Sequence, residues 1–240
     1  MAYLVTYNMQ GGNNWNNVGP FLTGVQMPNP ANPYAPMYQV ADIVCLQECG
    51  TPPQADSRIL RTAANANGNL STIDYRSVPM FWLEWGVGNN RCSLAMITRY
   101  NVNNFRVVPM VGHGALRQLL GVEISVGNFG LNWFYTTHMP SGNHGFAASC
   151  AFDVIANSGQ IGASWVIAGD WNCSPQEFMA PPGGRAWGPP AAPAIQPVHA
   201  GRATHQGGNN LDFAVSNKIP LHFTVIQPMS SDHSAVWFSF

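Results

Sequence analysis

The stretch WVIAGDWNCSP, from Trp165 to Pro175, joins a short apolar run to a group of polar residues. Its Val, Ile and Ala predict a buried β-strand that ends near Asp170. Because successive side chains of a strand alternate between its faces, Asp170 and Asn172 are expected to point the same way. A carboxylate and an amide would then lie together where the strand leaves its sheet. The polar residues that end the other strands decide whether this pair belongs to a larger site.

Eight other segments have the same β-rich composition, with Val, Ile, Thr and aromatic residues bounded by Gly, Asn or Pro. This composition and this spacing of turn residues are typical of short strands. With the first stretch, the predicted strands cover residues 2–8, 41–48, 80–85, 92–99, 121–127, 132–138, 164–170, 211–216 and 235–240.

Helices are predicted in three places. Residues 53–67 are rich in Ala and Arg, residues 145–159 carry apolar side chains at helical spacing, and residues 15–25 are a third candidate. Many strands with few helices indicate a layered α/β sandwich, in which two sheets pack face to face with helices outside. The segment 179–198 holds six prolines, which excludes a regular helix or a central strand. We therefore predict a long surface loop there, within a single domain of residues 1–240.

Charge is scarce in this chain of 240 residues, since only 9% are charged and the net charge is −1, whereas about 25% is typical. No global basic field exists to attract nucleic acid, so any such binding must depend on a local cluster. No apolar run reaches the length of about 18 residues that predicts a transmembrane helix. The first residues lack the charged and apolar regions of a signal peptide. We expect either export without one or a leader that is not part of this chain.

Five cysteines are present, Cys45, Cys49, Cys92, Cys150 and Cys173, so at least one thiol is unpaired. Cys45 and Cys49 are separated by three residues, but no nearby pair of His or Cys completes a zinc site. Spacing alone leaves open which cysteines, if any, form a disulfide.

Polar residues end most of the apolar runs. Strand ends at one edge of a sandwich are a common position for a site, because the scaffold beneath them is rigid. Each residue alone has a simpler interpretation, such as a turn former or a loop carboxylate. Together, in so uncharged a chain, they indicate a shared function. The set consists of Asn8, Glu48, His138, Asp170, Asn172, Asp212, Asp232 and His233.

This set suits metal-assisted hydrolysis of a phosphoester. A divalent ion such as Mg2+ offsets the negative charge of a phosphodiester and prefers oxygen ligands, which Glu48 and Asn8 offer. A histidine paired with a carboxylate can deprotonate the attacking water, because the carboxylate fixes the tautomer of the imidazole. Asn, a second His and Arg can donate hydrogen bonds to the charge that develops on the phosphate oxygens.

Six motifs make the sequence similar to the endonuclease/exonuclease/phosphatase (DNase I-like) superfamily, in which they occur in the same order. That superfamily includes pancreatic-type deoxyribonuclease, apurinic endonucleases, sphingomyelinases and inositol polyphosphate 5-phosphatases. The motifs extend over almost the whole chain. They are TYNMQG (6–11), VCLQE (44–48), TTHMPSG (136–142), VIAGDWN (166–172), NLDFAVS (210–216) and SDHSAVWF (231–238).

Within the superfamily the sequence most resembles the nuclease subunit of cytolethal distending toxins. Three local stretches carry this resemblance: TYNMQG (6–11), NNRCSLAMITR (89–99) and ATHQGGNNLDFAV (203–215). The resemblance implies a four-layered α/β sandwich and a divalent cation, Mg2+ or another ion such as Mn2+ or Ca2+.

The resemblance also implies roles for individual residues. Glu48 would be the chief metal ligand, with Asn8 and Asp232 in the metal shell. His233 would be the general base, oriented by Asp212.

The other predicted roles follow from the same resemblance. His138 would act as general acid or as a phosphate donor. Asp170 and Asn172 would contact water, metal and phosphate. The residues expected to bind phosphate or DNA are Arg91, Arg117, Asn172 and Thr204.

The function implied is that of a metal-dependent endodeoxyribonuclease with little sequence preference, the active subunit of a cytolethal distending-type genotoxin. Such a subunit would be secreted with carrier subunits and act in the nucleus of a host cell. A phosphoinositide phosphatase of the same superfamily is the alternative, although it would need more clustered Lys and Arg than this chain's ten basic residues supply. A binding module with a decayed site is a third interpretation, which the complete set of catalytic residues disfavours. The toxin subunits tend to be basic, and this chain is not.

Overall fold

The structure is a computed structural model. It describes residues 3–12, 14–27, 37–65, 68–85, 93–109, 118–124, 133–141, 164–179, 196–199, 201–218, 222–226 and 231–240.

The first of two large sheets has eight strands, and strand β1 lies near its middle. It pairs antiparallel with one neighbour, through Tyr3 and Ser239, and parallel with the other, through Leu4 and Ile43. In spatial order the strands are β15 (His222–Ile226), β16 (Ala235–Ser239), β1 (Tyr3–Asn8), β4 (Ile43–Gln47), β8 (Leu94–Thr98), β7 (Val78–Trp85), β6 (Gly68–Tyr75) and β5 (Ser57–Asn65).

The second sheet has six strands. In spatial order they are β13 (Gln196–Val198), β14 (Asp212–Ser216), β12 (Trp165–Asp170), β11 (Trp133–His138), β10 (Gln118–Ile124) and β9 (Val102–Pro109). A small two-stranded sheet and three helical segments complete the described elements. They are β2 (Val25–Met27), β3 (Met37–Gln39), a 3-10 helix (Trp15–Asn17), α1 (Val18–Thr23) and α2 (Pro175–Met179).

The two sheets pack face to face over a shared apolar core, to which Cys45 and Met96 contribute from one sheet and Phe134 and Val166 from the other. Each outer face is covered by a helix. Phe21 of α1 packs in the core on the outside of the first sheet, and Phe178 of α2 packs on the outside of the second. These layers confirm the predicted four-layered α/β sandwich, although the helices are short.

Each of the nine predicted strand segments contains a strand, with boundaries shifted by a few residues. The helix predicted at 15–25 is confirmed as the 3-10 helix and α1. α2 begins with a reciprocal pair of hydrogen bonds: the Ser174 amide donates to Glu177 Oε2 at 2.7 Å, and the Glu177 amide donates to Ser174 Oγ at 3.1 Å. This capping box fixes the start of the helix.

The helix predicted at 53–67 is wrong, because most of this segment forms the edge strand β5. β5 pairs antiparallel with β6 over its whole length, with a shift of register between Ile59 and Arg61. Cross-strand pairing overrides the helical preference of Ala and Arg in this segment. Ile59 and Leu60 are more than half exposed, which blurs the alternation that would mark a strand in the sequence.

The proline-rich segment 179–198 is described only at its ends. Residue 179 closes α2, and β13 occupies 196–198 as an edge strand, the position in a sheet that tolerates Pro197. The helix predicted at 145–159 lies outside the described residues.

Cys45, Cys49 and Cys173 are buried free thiols, while Cys92 and Cys150 lie outside the described residues. Within the described part of the chain, no helix has both the length and the apolar character needed to cross a membrane.

Candidate active site

Strand ends from both sheets meet at one edge of the sandwich. In the first sheet β1 and β4 run parallel, which brings Asn8 beside the loop that carries Glu48. In the second sheet the register pairs His138 of β11 with Asp170 of β12, and Asp170 with Asp212 of β14. Because directly paired residues project from the same face of a sheet, these three side chains stand side by side. The predicted convergence of polar strand ends is therefore present.

His233, in the loop before β16, is held by Asp212 from the opposite sheet. Its Nδ1 lies 2.8 Å from Asp212 Oδ2, a hydrogen bond in which the imidazole donates to the carboxylate. The His233 backbone amide donates to Ser231 Oγ at 3.1 Å, and that hydroxyl donates to the Asn8 carbonyl at 2.9 Å. The Asp212 amide donates to Thr204 Oγ1 at 3.0 Å. Both members of the pair are therefore fixed at the backbone as well as at the side chain.

The charges of the site shift the pKa of two groups in the same direction. Burial, followed by the charge of Asp212, raises the pKa of Asp170 to about 7. Burial lowers the pKa of His233, but the nearby carboxylates, Asp212 first, outweigh it and raise the pKa to about 9. Both shifts mean that this cluster of buried carboxylates favours a proton or a cation beside it.

Glu48, Asn8 and His138 form the other half of the site around Asp170. Asn8 Nδ2 donates to Asp170 Oδ2 at 2.8 Å and lies 3.5 Å from Glu48 Oε1. His138 Nε2 lies 3.5 Å from Glu48 Oε1 and 3.7 Å from Asp170 Oδ2. Asn8 Oδ1 accepts a hydrogen bond from the backbone N–H of Gln10 at 2.9 Å, which fixes the orientation of the Asn8 carboxamide. Carboxylate and amide oxygens thus converge near one imidazole.

Glu48 has a left-handed backbone with a φ of 47°, which is uncommon for a residue with a side chain. Two tryptophans hold the residues after it. Trp15 Nε1 donates to the Cys49 carbonyl at 2.9 Å, and Trp82 Nε1 donates to the Gly50 carbonyl at 3.0 Å. Gly12 packs so closely that an added Cβ would lie 2.7 Å from the Cys49 oxygen. These contacts hold the two residues that follow the left-handed Glu48.

The GDWN turn uses each of its residues differently. A Cβ on Gly169 would lie 2.0 Å from the backbone oxygen of β11, so only glycine permits this close approach of β12. Asp170 Oδ1 accepts a hydrogen bond from the backbone N–H of Asn172 at 2.9 Å. Trp171 packs in the core on the outside of the second sheet. The side-chain Nδ2 of Asn172 donates to the Met139 carbonyl at 2.7 Å. The strand ends at Asp170, and the left-handed Asn172 continues as a turn rather than by strand alternation.

Four predicted site residues remain, and the structure describes two of them, Asp232 and Thr204. Asp232 lies on the His233 side of the site, with its Oδ1 3.9 Å from His233 Nε2. Thr204 is buried, and its hydroxyl accepts the amides of Leu211 and Asp212, so its phosphate role stays a prediction. Arg91 and Arg117, which are predicted to bind phosphate or DNA, lie outside the described residues, so that role also stays a prediction.

His205 is not among the predicted residues, although its ring contacts the His233 ring with centroids 4.8 Å apart. A β-bridge joins the two residues across 28 positions of sequence, so no local pattern could place them together. The nearest signal was the ATHQGG motif, in which His205 directly follows Thr204.

The donor set is suited to a metal ion. Asp170, Asp212 and His233 each offer a ligand atom, and these atoms lie within 4.8 Å of one another. Asp212 Oδ1 is buried and has no hydrogen-bond partner among the described residues. A buried carboxylate oxygen without a partner is costly unless a cation or a donor satisfies it.

Comparisons with known proteins identify the family and the fold of the chain. A sequence model of the endonuclease/exonuclease/phosphatase family matches residues 5–233. A search of curated proteins found no match.

Solved structures share the fold over almost the whole chain. The cytolethal distending toxin of Haemophilus ducreyi is similar at 22% identity with a TM-score of 0.73, and CdtB, the biologically active subunit of cytolethal distending toxin, at 20% identity with a TM-score of 0.74. TDP2 of D. rerio, solved with a single-strand DNA product, is similar at 13% identity with a TM-score of 0.62. Each of these matches covers 99% of this chain and 97% of the other. At such identities the likeness concerns the fold, and it confirms the resemblance to the toxin subunit at that level.

The family model extends over nearly the whole chain. The chain therefore belongs to the endonuclease/exonuclease/phosphatase family of hydrolytic phosphodiesterases and nucleases.

Proposed function

We propose that this protein is a metal-dependent endodeoxyribonuclease that hydrolyses phosphodiester bonds with little sequence preference. One observation carries the proposal: a buried His–Asp pair, His233 Nδ1 to Asp212 Oδ2 at 2.8 Å, lies on one side of Asp170, and His138 lies on the other. A base and an acid on either side of a shared carboxylate suit an in-line displacement at phosphorus.

In this mechanism Asp212 keeps the His233 proton on Nδ1, so that Nε2 can accept a proton from the attacking water. The Nε2 of His138 then delivers a proton to the leaving oxygen. The side-chain amide of Asn172, whose Nδ2 also donates to the Met139 carbonyl, would contact the phosphate.

Glu48 and Asn8, with Asp170 beside them, would hold a divalent cation, and Mg2+ suits their oxygen donors. When bound, that ion would offset the charge of the phosphate and stabilise the charge of the transition state. The pair of buried carboxylates, Asp170 and Asp212, and the unpaired oxygen of Asp212 support a cation at this edge.

The likeness in fold to cytolethal distending toxins extends the proposal to biology. The chain would be the catalytic subunit of a secreted toxin of that type, with residues 1–240 as a single domain. It would be delivered by carrier subunits and nick DNA in the host nucleus. Because phosphate contacts position a duplex but do not read its bases, such nicking would show little sequence preference.

The test is a plasmid-nicking assay with the full chain. We expect nicking with Mg2+, no nicking after chelation by EDTA, and recovery when Mg2+ is restored. Glu48→Gln should raise the Mg2+ concentration needed for half-maximal activity, because a charged oxygen ligand is lost. Glu123→Gln, at the opposite end of the second sheet, is the matched control and should need the same Mg2+ concentration as the wild type.

The same preparation should be assayed for phosphate release from a soluble phosphoinositide. Phosphate release in the absence of nicking would replace the proposed function with that of a phosphatase. An identical Mg2+ titration for Glu48→Gln and the wild type would remove Glu48 from the metal shell.

A further inference from the structure

A second cluster of possible ligands lies on the His233 side of the site. His205, Asp232 and His233 each offer one ligand atom, and these atoms lie within 4.8 Å of one another. The cluster differs chemically from the oxygen-rich group around Glu48, because two of its three donors are imidazole nitrogens. About a third of the Asp232 side chain and a little less of His205 are exposed, so an ion can reach the cluster from solvent.

The donors lie too far apart for hydrogen bonds and close enough together to share one ion. His205 Nε2 lies 3.6 Å from Asp232 Oδ2, and His233 Nε2 lies 3.9 Å from Asp232 Oδ1. A hydrogen bond between nitrogen and oxygen requires a separation of about 3.2 Å or less. Ligands at about 2.1 Å from a tetrahedral Zn2+ lie roughly 3.4 Å apart, so small side-chain movements would close the cluster around such an ion.

Once His233 is neutral, its hydrogen bond to Asp212 selects the tautomer that a metal ligand needs. Because Nδ1 donates its proton to Asp212, the lone pair of neutral His233 is on Nε2, which faces the cluster. A carboxylate behind a ligating histidine is the usual outer partner in metal sites, where it fixes the ring and raises its basicity.

His205 needs one adjustment. Its Nδ1 accepts the Gly207 amide at 2.9 Å, whereas coordination through Nε2 puts the proton on Nδ1. The Gly207 N–H must therefore turn away when an ion binds. Gly207 is exposed and is followed by Gly208 with a φ of 86°, so water can replace the lost bond.

We propose that His205, Asp232 and His233 form a second metal site that binds a borderline transition-metal ion of the Zn2+ class. Two imidazoles and one carboxylate select such an ion over Mg2+, which prefers oxygen. Binding there occupies the lone pair of the general base, so Zn2+ inhibits the enzyme while Mg2+ supports it. The inhibition, but not the binding, rests on the proposed function.

The experiment is calorimetric titration of the full chain with Zn2+ in excess Mg2+, alongside nicking assays over the same Zn2+ range. We expect one Zn2+ to bind the wild type and to inhibit nicking. His205→Ala removes one of three ligands and should weaken Zn2+ binding by at least about tenfold. It should raise the inhibitory Zn2+ concentration by the same factor, measured relative to the variant's own nicking rate without Zn2+.

His199→Ala is the matched control. His199 lies in the same loop and also accepts, at Nδ1, an amide two residues later, that of Gly201 at 3.2 Å. It should bind Zn2+ like the wild type. If His205→Ala lowers the melting temperature, His205→Gln takes its place.

Wild-type Zn2+ affinity in His205→Ala would overturn the site, and so would displacement of Zn2+ by Mg2+ in direct competition. If the wild type nicks no DNA at all, the proposed function fails, and the calorimetric comparison still decides whether the site exists.

Discussion

The two halves of the site hold their histidines differently, although each histidine lies near a carboxylate from the opposite sheet. His233, from the loop before β16, has a hydrogen bond of 2.8 Å to Asp212 of β14. His138, at the end of β11, lies 3.5 Å from Glu48, which follows β4. His233 thus has a short side-chain hydrogen bond to its carboxylate, whereas the loop that carries Glu48 accepts two indole hydrogen bonds at its backbone carbonyls.

This difference separates two tasks. The short bond to Asp212 fixes the tautomer of His233 before any substrate arrives, which is what a general base requires. The strained Glu48 loop instead aims a carboxylate toward Asn8 and Asp170, which is what a hard cation requires. Because each half contains residues of both sheets, the relative position of the sheets sets the geometry of both.

Removing either imidazole should have the largest effect. His233→Ala and His138→Ala should each reduce the nicking rate by ~100- to 10,000-fold, the contribution of one positioned acid or base. Melting temperatures should show that the fold is retained, with His199→Ala as the control. Near wild-type rates in both variants would end the assignment of these residues to catalysis.

A smaller effect is expected in the pH profile of Asp212→Asn. A base must be neutral, so activity is gained as the pH rises through the pKa of His233, which the carboxylates raise. Removing the Asp212 charge lowers this pKa, so the acid limb of kcat/KM should move to lower pH by about one unit or more. The plateau should fall as well, because an amide holds Nδ1–H less firmly. An acid limb that stays in place or moves upward would show that another group controls it.

The smallest effect should come from the Glu48 half. Trp82→Phe removes the indole donor to the Gly50 carbonyl and should cost about 1 kcal/mol of folding free energy. The Mg2+ requirement should rise a few-fold, while the pH profile set by the His233 half stays unchanged. Trp237→Phe, in the same apolar core but on β16, controls for the loss of ring volume. If Trp82→Phe and Trp237→Phe required the same Mg2+ concentration, the Trp82 indole would not be needed to position the Glu48 loop.

Much of the site could be predicted because its residues end strands that are buried on both faces. The apolar runs before Glu48 and Asp170 are buried at every position, so their composition alone marks them as strands. The polar residue that follows each run is then conspicuous. The order of the motifs along the chain added the roles of His138 and His233 by resemblance.

Other features could not be predicted, because they depend on contacts between distant segments. The contact of His205 with His233 exists only through a bridge between two loops. The residues after the left-handed Glu48 are held by the indoles of Trp15 and Trp82, which come from distant parts of the sequence. The sequence of β5 predicts a helix because its Ala and Arg favour helices, while the alternation of apolar side chains that marks a strand is weak at this exposed edge.

The central position of β1 also has a consequence for synthesis of the protein. Residues 3–6 pair with residues 236–239, and Asn8 works beside His233, so the site joins the first and last strands of the sheet. Such long-range pairing forms late in folding. A nascent chain whose residues up to 239 have not yet left the ribosome therefore has no assembled site. If the chain has the nuclease activity proposed above, the translating cell is spared DNA cleavage by its own unfinished product.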